Sequence, residues 1–217
     1  MFGKAPICRS YFIGDSCLCW SLGGEIDRLT SLQILHVYHR LKKEPAMARL
    51  GVLDLVPSYN ALALHAAPLS DWRAIRKVVD RFFRRLPGTE RKLAGKNPVH
   101  RIPVRYTGED LPRVAELHRL TVEEVVELHA AAEYMVAMIG FRPHFPYLLG
   151  LDPRLETPRL DTPRLRVPAG SVAIGGQQTG IYPAESPGGW NIIGFTDTSL
   201  LKSMAPGDIV TFFRIGP

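Results

Sequence analysis

Short apolar runs broken by turn residues fill both ends of the chain, and apolar positions recur at helical spacing between them. ICRSYFIGDSCLCWSL (7–22) predicts two strands around a Gly14-Asp15-Ser16 turn. From Asp27 to Leu41 the stripe Leu29, Leu32, Leu35, Tyr38 and Leu41, widened by Ile34 and Val37, predicts a helix that Pro45 ends. GVLDLVPSYNALALHAAP (51–68) gives two more strands around Pro57-Ser58-Tyr59-Asn60. Ser70 is a candidate N-cap for a helix with the stripe Ile75, Val78, Val79, Phe82 and Leu86. This alternation predicts a small α/β sandwich over residues 1–90.

LPGTERKLAGKNP (86–98) is polar, basic and rich in Gly and Pro, and reads as a linker or long loop. RIPVRY (101–106) is a strand, and a helix is expected over about Leu111 to Leu117. A capping box, Thr121-Val-Glu-Glu124, opens a second helix expected to run to about Met138. GFRPHFPYLLGLD (140–152) is too rich in Gly and Pro for a helix and makes a poor strand. It is expected to be a hinge, with Phe141, Phe145 and Tyr147 anchoring the last helix on a C-terminal β region. In that region, short apolar segments between Gly and Pro turns predict a small barrel or closed sandwich within 91–217. The predicted class is therefore α+β.

Composition agrees with a protein that has a core: 217 residues, 46% hydrophobic and 22% charged. The N-terminus lacks the sustained apolar run of a secretory signal, and no run suggests a membrane span. Three cysteines, Cys8, Cys17 and Cys19, without a disulfide framework point to reduced thiols and a cytoplasmic setting. The net charge of +6 is uneven: residues 1–98 carry 16 Lys+Arg against 8 Asp+Glu. The basic excess peaks in RAIRKVVDRFFRR (73–85). Because Trp72, Phe82 and Phe83 fall with the apolar stripe, the segment reads as a solvated helix face rather than a nucleic-acid surface.

Familiar catalytic patterns are missing. Six residues separate Gly88 from Gly95 where a P-loop has four, and Asn97 follows Lys96, so there is no P-loop. HAAAE (129–133) is not a zinc-protease motif, His36 and His39 have no visible third ligand, and no Ser sits in a G-x-S-x-G elbow. His129, on a largely apolar helix, is either a satisfied core residue or a site residue. TPRLDTPRLRVPAGS (157–171) repeats Thr-Pro-Arg at Arg159 and Arg164, guanidiniums suited to carboxylate or phosphate. Gln178, Tyr182, Ser186, Gly188 and Gly189 come next, in turn-rich segments. Together these form a polar ligand pocket, or else tight barrel turns with arginines bridging to carboxylates.

Longer strings carry a resemblance. HAAAEYMVAMIGFRPHFPYLLGLD, PRLDTPRLRVPAGSVAIGGQQTGIYPAESPGGWNIIG and PGDIVTFF resemble the KipI family, which includes the B-subunit of bacterial 5-oxoprolinase and the allophanate hydrolase subunit-1 half. VPSYNALALHAAP and IPVRYTGEDLPRVAELHRLTVEEVVELH fit as well. The resemblance implies a C-terminal cyclophilin-like β-barrel over 91–217. It also implies a KipA-like companion subunit, a lactam-hydrolase partner, and an ATP-dependent opening of 5-oxoproline, with magnesium and ATP held through the complex. One branch of the family instead inhibits a sensor histidine kinase. Neither membrane nor nucleic acid is an expected partner. His129, Arg159 and Arg164 fall on matching positions, and their side-chain chemistry makes them the candidate catalytic residues, His129 as proton carrier and the arginines for phosphate or carboxylate. Substrate contacts are expected from Gln178, Tyr182, Ser186, Gly188, Gly189, Phe145 and Tyr147 on those positions, and from His144, which lies off the family pattern at the pocket mouth. Three departures stand out: His144 replaces a glycine, Phe195 replaces an Arg or His, and SLLKSMAPGD lacks the usual Phe-Asp-Pro turn.

Overall fold

The computed structural model describes residues 8–24, 26–93 and 97–216. It divides into two compact units, Met1–Lys96 and Asn97–Pro217. In the first, β1 (Arg9–Ile13), β2 (Cys17–Ser21), α1 (Arg28–Leu41), α2 (Pro45–Arg49), β3 (Val52–Pro57), β4 (Ala61–Ala66), α3 (Trp72–Phe83) and α4 (Glu90–Leu93) follow in order. The four strands form an antiparallel sheet in the order β1-β2-β4-β3. Asp27 caps α1 by accepting the Thr30 N–H. Leu18, Trp20, Ile34, Val37, Leu41, Leu62, Leu64, Ile75 and Val79 are fully buried. Trp20 also donates its indole N–H to Asp80 at 2.8 Å, which satisfies its polar edge inside the core.

Three expectations need correction here. Asp71, not Ser70, caps α3, accepting from the backbone of Arg73 and Ala74, while Ser70 Oγ donates to the Ala67 carbonyl. The buried stripe of α3 is Ile75, Val79 and Phe83. Phe82 lies outside it, under the guanidiniums of Arg40 and Arg81. The segment expected to be linker also holds the turn of helix α4.

The second unit contains β5 (Val99–Val104), α5 (Leu111–His118), α6 (Val122–Ala131), β6 (Glu133–Ile139), β7 (Pro146–Leu149), β8 (Arg164–Val167), β9 (Ser171–Gly175), β10 (Gln178–Ile181), β11 (Ser186–Gly188), β12 (Asn191–Phe195) and β13 (Ile209–Arg214). Seven strands make one mixed sheet, β12-β9-β10-β7-β6-β13-β5, with β5 and β13 parallel and the other neighbours antiparallel. A ribbon of β8 and β11 stands apart. The large sheet curls until its edges meet: Arg105 and Phe195 exchange two backbone hydrogen bonds of 2.9 Å. The unit is thus an α+β fold built on one curled mixed sheet. Helices α5 and α6 contribute Val114, Val125 and Val126 to a core with Tyr134, Leu148, Ile174, Ile193 and Phe212. A second cluster, Phe145, Val167, Ala173, Tyr182, Trp190 and Ile192, lies apart from it.

The capping box at Thr121 and Glu124 is formed, but its helix stops at Ala131. Residues 133–138, expected to be helical, belong to strand β6, paired through Tyr134 with Val210 and through Val136 with Leu148. A continuous apolar run fits a buried helix and a buried strand equally, and the cross-strand partners decide between them. GFRPHFPYLLGLD is therefore no hinge. It is the turn of the β6–β7 hairpin followed by β7 itself. Phe141 and His144 take left-handed backbone there, φ 64° and 68°. His144 is exposed and stands where glycine would carry no steric cost. His144→Gly is therefore expected to stabilise the chain by about 0.5 to 1 kcal/mol, read from urea unfolding. A loss of stability would mean that the imidazole has an attractive contact of its own.

Candidate functional site

The aromatic cluster supports a cleft of about 230 Å³ in the second unit. Phe141 and Phe145 reach it from the β6–β7 turn, Tyr147 from β7, and Tyr182 from the residue after β10. Gly188 ends β11, and Gly189 and Trp190 link it to β12. Phe145 is the hub, with ring centroids 4.8 Å from Tyr147, 5.1 Å from Tyr182 and 5.8 Å from Trp190. The Tyr182 and Trp190 rings meet it edge to face, the arrangement that aromatic quadrupoles favour. Two glycines make room. A Cβ on Gly175 would lie 2.6 Å from the Trp190 indole, and one on Gly188 would lie 2.2 Å from Tyr182 Oη.

Arg159 is the charged residue of the cleft, its guanidinium 5.8 Å from the Trp190 ring centroid. Its side chain is exposed, but the backbone on either side is held. The Pro158 carbonyl accepts from Asn191 Nδ2 at 2.9 Å, and the Leu160 N–H donates to the Gly189 carbonyl at 2.7 Å. Asn191 in turn donates to the Ile174 carbonyl and accepts from Arg113. A loop residue is thereby placed against a rigid sheet. Burial raises the pKa of Tyr147 and Tyr182, more than the nearby Arg159 lowers either. Both phenols remain hydrogen-bond donors at neutral pH.

Six of the eleven sequence-predicted residues meet here: Phe145, Tyr147, Arg159, Tyr182, Gly188 and Gly189. Five stand elsewhere. His129 is completely buried, with Nδ1 2.8 Å from Tyr106 Oη, Nε2 3.0 Å from Thr179 Oγ1 and its ring stacked 4.6 Å from Phe212. Burial pushes its pKa down to about 3, so it stays neutral. A proton carrier must reach substrate, and His129 is instead a satisfied core histidine. Arg164 is occupied by Glu109 at 2.9 Å and Asp110 at 2.7 Å, the arrangement of a bridging arginine rather than a ligand-binding one. Gln178 and Ser186 sit on β10 and β11 outside the cleft lining, and His144 is on the exposed hairpin turn.

Sequence reasoning missed Phe141, Pro163, Pro187 and Trp190 as lining residues, and Asp110 and Asn191 as the groups behind them. Asp110 is buried and also accepts the Ile192 N–H at 2.7 Å, so it ties β12 to Arg164 on β8. The SPGGWN string (186–191) is the available signal for Trp190 and Asn191. Nothing local marks Asp110, whose partners lie 54 and 82 residues away. Among the described residues, no group of three or more His, Cys, Asp or Glu gathers to hold a metal ion. No helix among them is long and apolar enough to cross a membrane. A larger cleft, about 340 Å³, lies in the first unit, walled by Leu41, Met47, Leu53 and the stems of Lys42 and Lys43. It gathers none of the sequence motifs.

Comparisons with known proteins converge. Residues 8–208 match the carboxyltransferase domain, subdomain C and D. The chain is 34% identical to the 5-oxoprolinase B-subunit of Bacillus subtilis (strain 168), covering 94% of this chain and 91% of that protein. It is 50% identical to the 5-oxoprolinase B-subunit of Haemophilus influenzae over 125 residues, 53% of this chain and 59% of the relative. Among solved structures, it is similar to TTHA0988, with a TM-score of 0.77 at 36% identity over 93% of this chain. It spans 40% of that longer chain.

Proposed function

The chain belongs to the carboxyltransferase-domain family that includes the 5-oxoprolinase B-subunit, and on that premise we propose that it is one component of an ATP-dependent 5-oxoprolinase-type hydrolase. The observation that carries this reading is the make-up of the cleft: one guanidinium above aromatic walls, with no Asp, Glu, His, Cys or Ser among its lining residues. Such a site binds and orients. It supplies neither nucleophile nor general base, as suits one member of a shared catalytic assembly.

5-Oxoproline is a flat five-membered lactam with one carboxylate. The Tyr147, Tyr182 and Trp190 rings present apolar faces to the ring, and Arg159 is placed to pair with the carboxylate. The protonated Tyr182 phenol, which accepts from the Trp190 backbone, can donate its own hydrogen to the lactam carbonyl. Fixing ring and carboxylate together leaves the amide in one orientation, which lowers the entropic part of the barrier. A lone guanidinium does not suit a triphosphate, so ATP and its magnesium are assigned to the assembled complex and not to this cleft. A KipA-like companion and a lactam-hydrolase partner would complete it.

Co-expression with those two gene products tests the reading. The complex is expected to hydrolyse ATP only when 5-oxoproline is present, and this chain alone is expected to bind 5-oxoproline without turnover. A well-folded complex that gives no 5-oxoproline-dependent ATP hydrolysis sinks the proposal.

A further inference from the structure

The first unit carries a second concavity, about 250 Å³, lined by Arg40, Glu44, Arg81, Phe82 and Arg85. Its arginines come from two places in the fold: Arg40 from α1, and Arg81 and Arg85 from α3 and the turn after it. Two of them are held by one ring, with the guanidinium carbons of Arg40 and Arg81 at 4.9 and 5.3 Å from the Phe82 centroid. Phe82 is only half-buried, although its spacing in the sequence places it on the apolar stripe of α3. Its position outside the buried stripe is explained if its ring serves as a platform for these cations.

The charge of the concavity is unbalanced. Glu44 is its single carboxylate; it pairs with Arg81 at 3.3 Å, while its other oxygen accepts the Ala46 N–H and caps α2. Arg40 and Arg85 have no carboxylate partner among the described residues. Three guanidiniums around one small space repel one another, and a single carboxylate relieves that only in part. Arginine forks match phosphate oxygens two at a time, where lysines would offer point charges. A long solvated helix face would spread its charges; this one gathers them from separate elements.

We propose that this concavity is a binding site for a small polyphosphate-bearing ligand, gripped by Arg40, Arg81 and Arg85 beside Phe82. The site is separate from the aromatic cleft and does not depend on the function proposed for it. Glu44 tunes its affinity, because its carboxylate competes with the ligand for Arg81.

Calorimetric titration of the full chain with pyrophosphate, tripolyphosphate and ATP tests the site. Pyrophosphate is expected to bind with one-to-one stoichiometry. Arg40→Gln and Arg85→Gln, both at exposed positions, are each expected to weaken it about tenfold. Glu44→Gln keeps an oxygen to cap α2 but removes the competing charge, and is expected to strengthen binding about threefold or more. Arg73→Gln, on α3 but outside the concavity, should leave binding unchanged within about twofold. ATP binding more tightly than tripolyphosphate identifies a nucleotide as the ligand, and equal binding identifies a free polyphosphate; either supports the site. Absence of pyrophosphate binding overturns it, as does equal weakening by Arg73→Gln or no gain from Glu44→Gln. Duplex DNA binding lost with the same arginines overturns it in favour of a nucleic-acid surface.

Discussion

Below about pH 6 the chain is expected to lose roughly 1.4 kcal/mol of stability for each pH unit, from His129 alone. The unfolded imidazole takes up a proton near its ordinary pKa of 6.5, whereas in the fold burial holds that pKa at about 3. Between those values the unfolded chain binds one proton more than the folded chain. Stability therefore rises with pH across this window and is lost as the pH falls through it. The accumulated loss approaches about 4 kcal/mol near pH 3.5, a large share of an ordinary domain's stability. Both ring nitrogens already have partners, Tyr106 and Thr179, and protonation would put a charge among Tyr134, Phe212 and Val126. Urea unfolding at pH 7, 6, 5 and 4 reads the slope. His129→Gln is expected to be less stable at pH 7, by about 2 kcal/mol, yet to show a shallower slope between pH 6 and 4. Parallel slopes for the two proteins would refute the assignment of His129 as a neutral core residue. Asp152 and Asp197, whose pKa values are lowered by their hydrogen bonds, lose stability at more acid pH and do so in both proteins.

Arg159→Ala is expected to lower 5-oxoproline-dependent turnover of the reconstituted complex by about 10- to 100-fold, mostly through KM. The side chain is exposed and its loop is held through Pro158, Leu160 and Asn191, so unfolding midpoints should move little. Arg159→Lys should recover part of the affinity, since it restores the charge but not the fork. A companion measurement separates binding from turnover: the isolated chain's Trp190 fluorescence is expected to change with 5-oxoproline in the native protein and not in Arg159→Ala. Trp20→Phe and Trp72→Phe in the background leave Trp190 as the reporter. Unchanged kinetics in Arg159→Ala would remove the cleft from the mechanism, whatever the fate of the wider assignment.

Much of this fold is legible in the sequence where the causes are local. The Gly14-Asp15-Ser16 turn, the helix α1 with most of its stripe (Leu32, Leu35, Tyr38 and Leu41, but not Leu29) and the Thr121 capping box appear in the structure as read, because each depends on residues within a few positions. The errors fall where distant partners decide. The run from Tyr134 to Met138 is strand because Val210 and Leu148 lie beside it. Phe82 leaves its stripe because Arg40 waits on another helix. His129 is open between core and site on its sequence, and its enclosure by Tyr106, Thr179 and Phe212 settles it as core.

The two Thr-Pro-Arg units show the division most clearly. On sequence alone Arg159 and Arg164 are equivalent, and the family strings, the turn chemistry and the α+β class are all determined at that level. The structure separates them. Glu109 and Asp110, more than fifty residues upstream, neutralise Arg164, while Arg159 is left above the Trp190 ring facing open space. A guanidinium's chemistry is the same in both places; which charges the folded chain brings within 3 Å of it is a long-range property, and that decides which of the two is held by carboxylates and which is left exposed in the cleft.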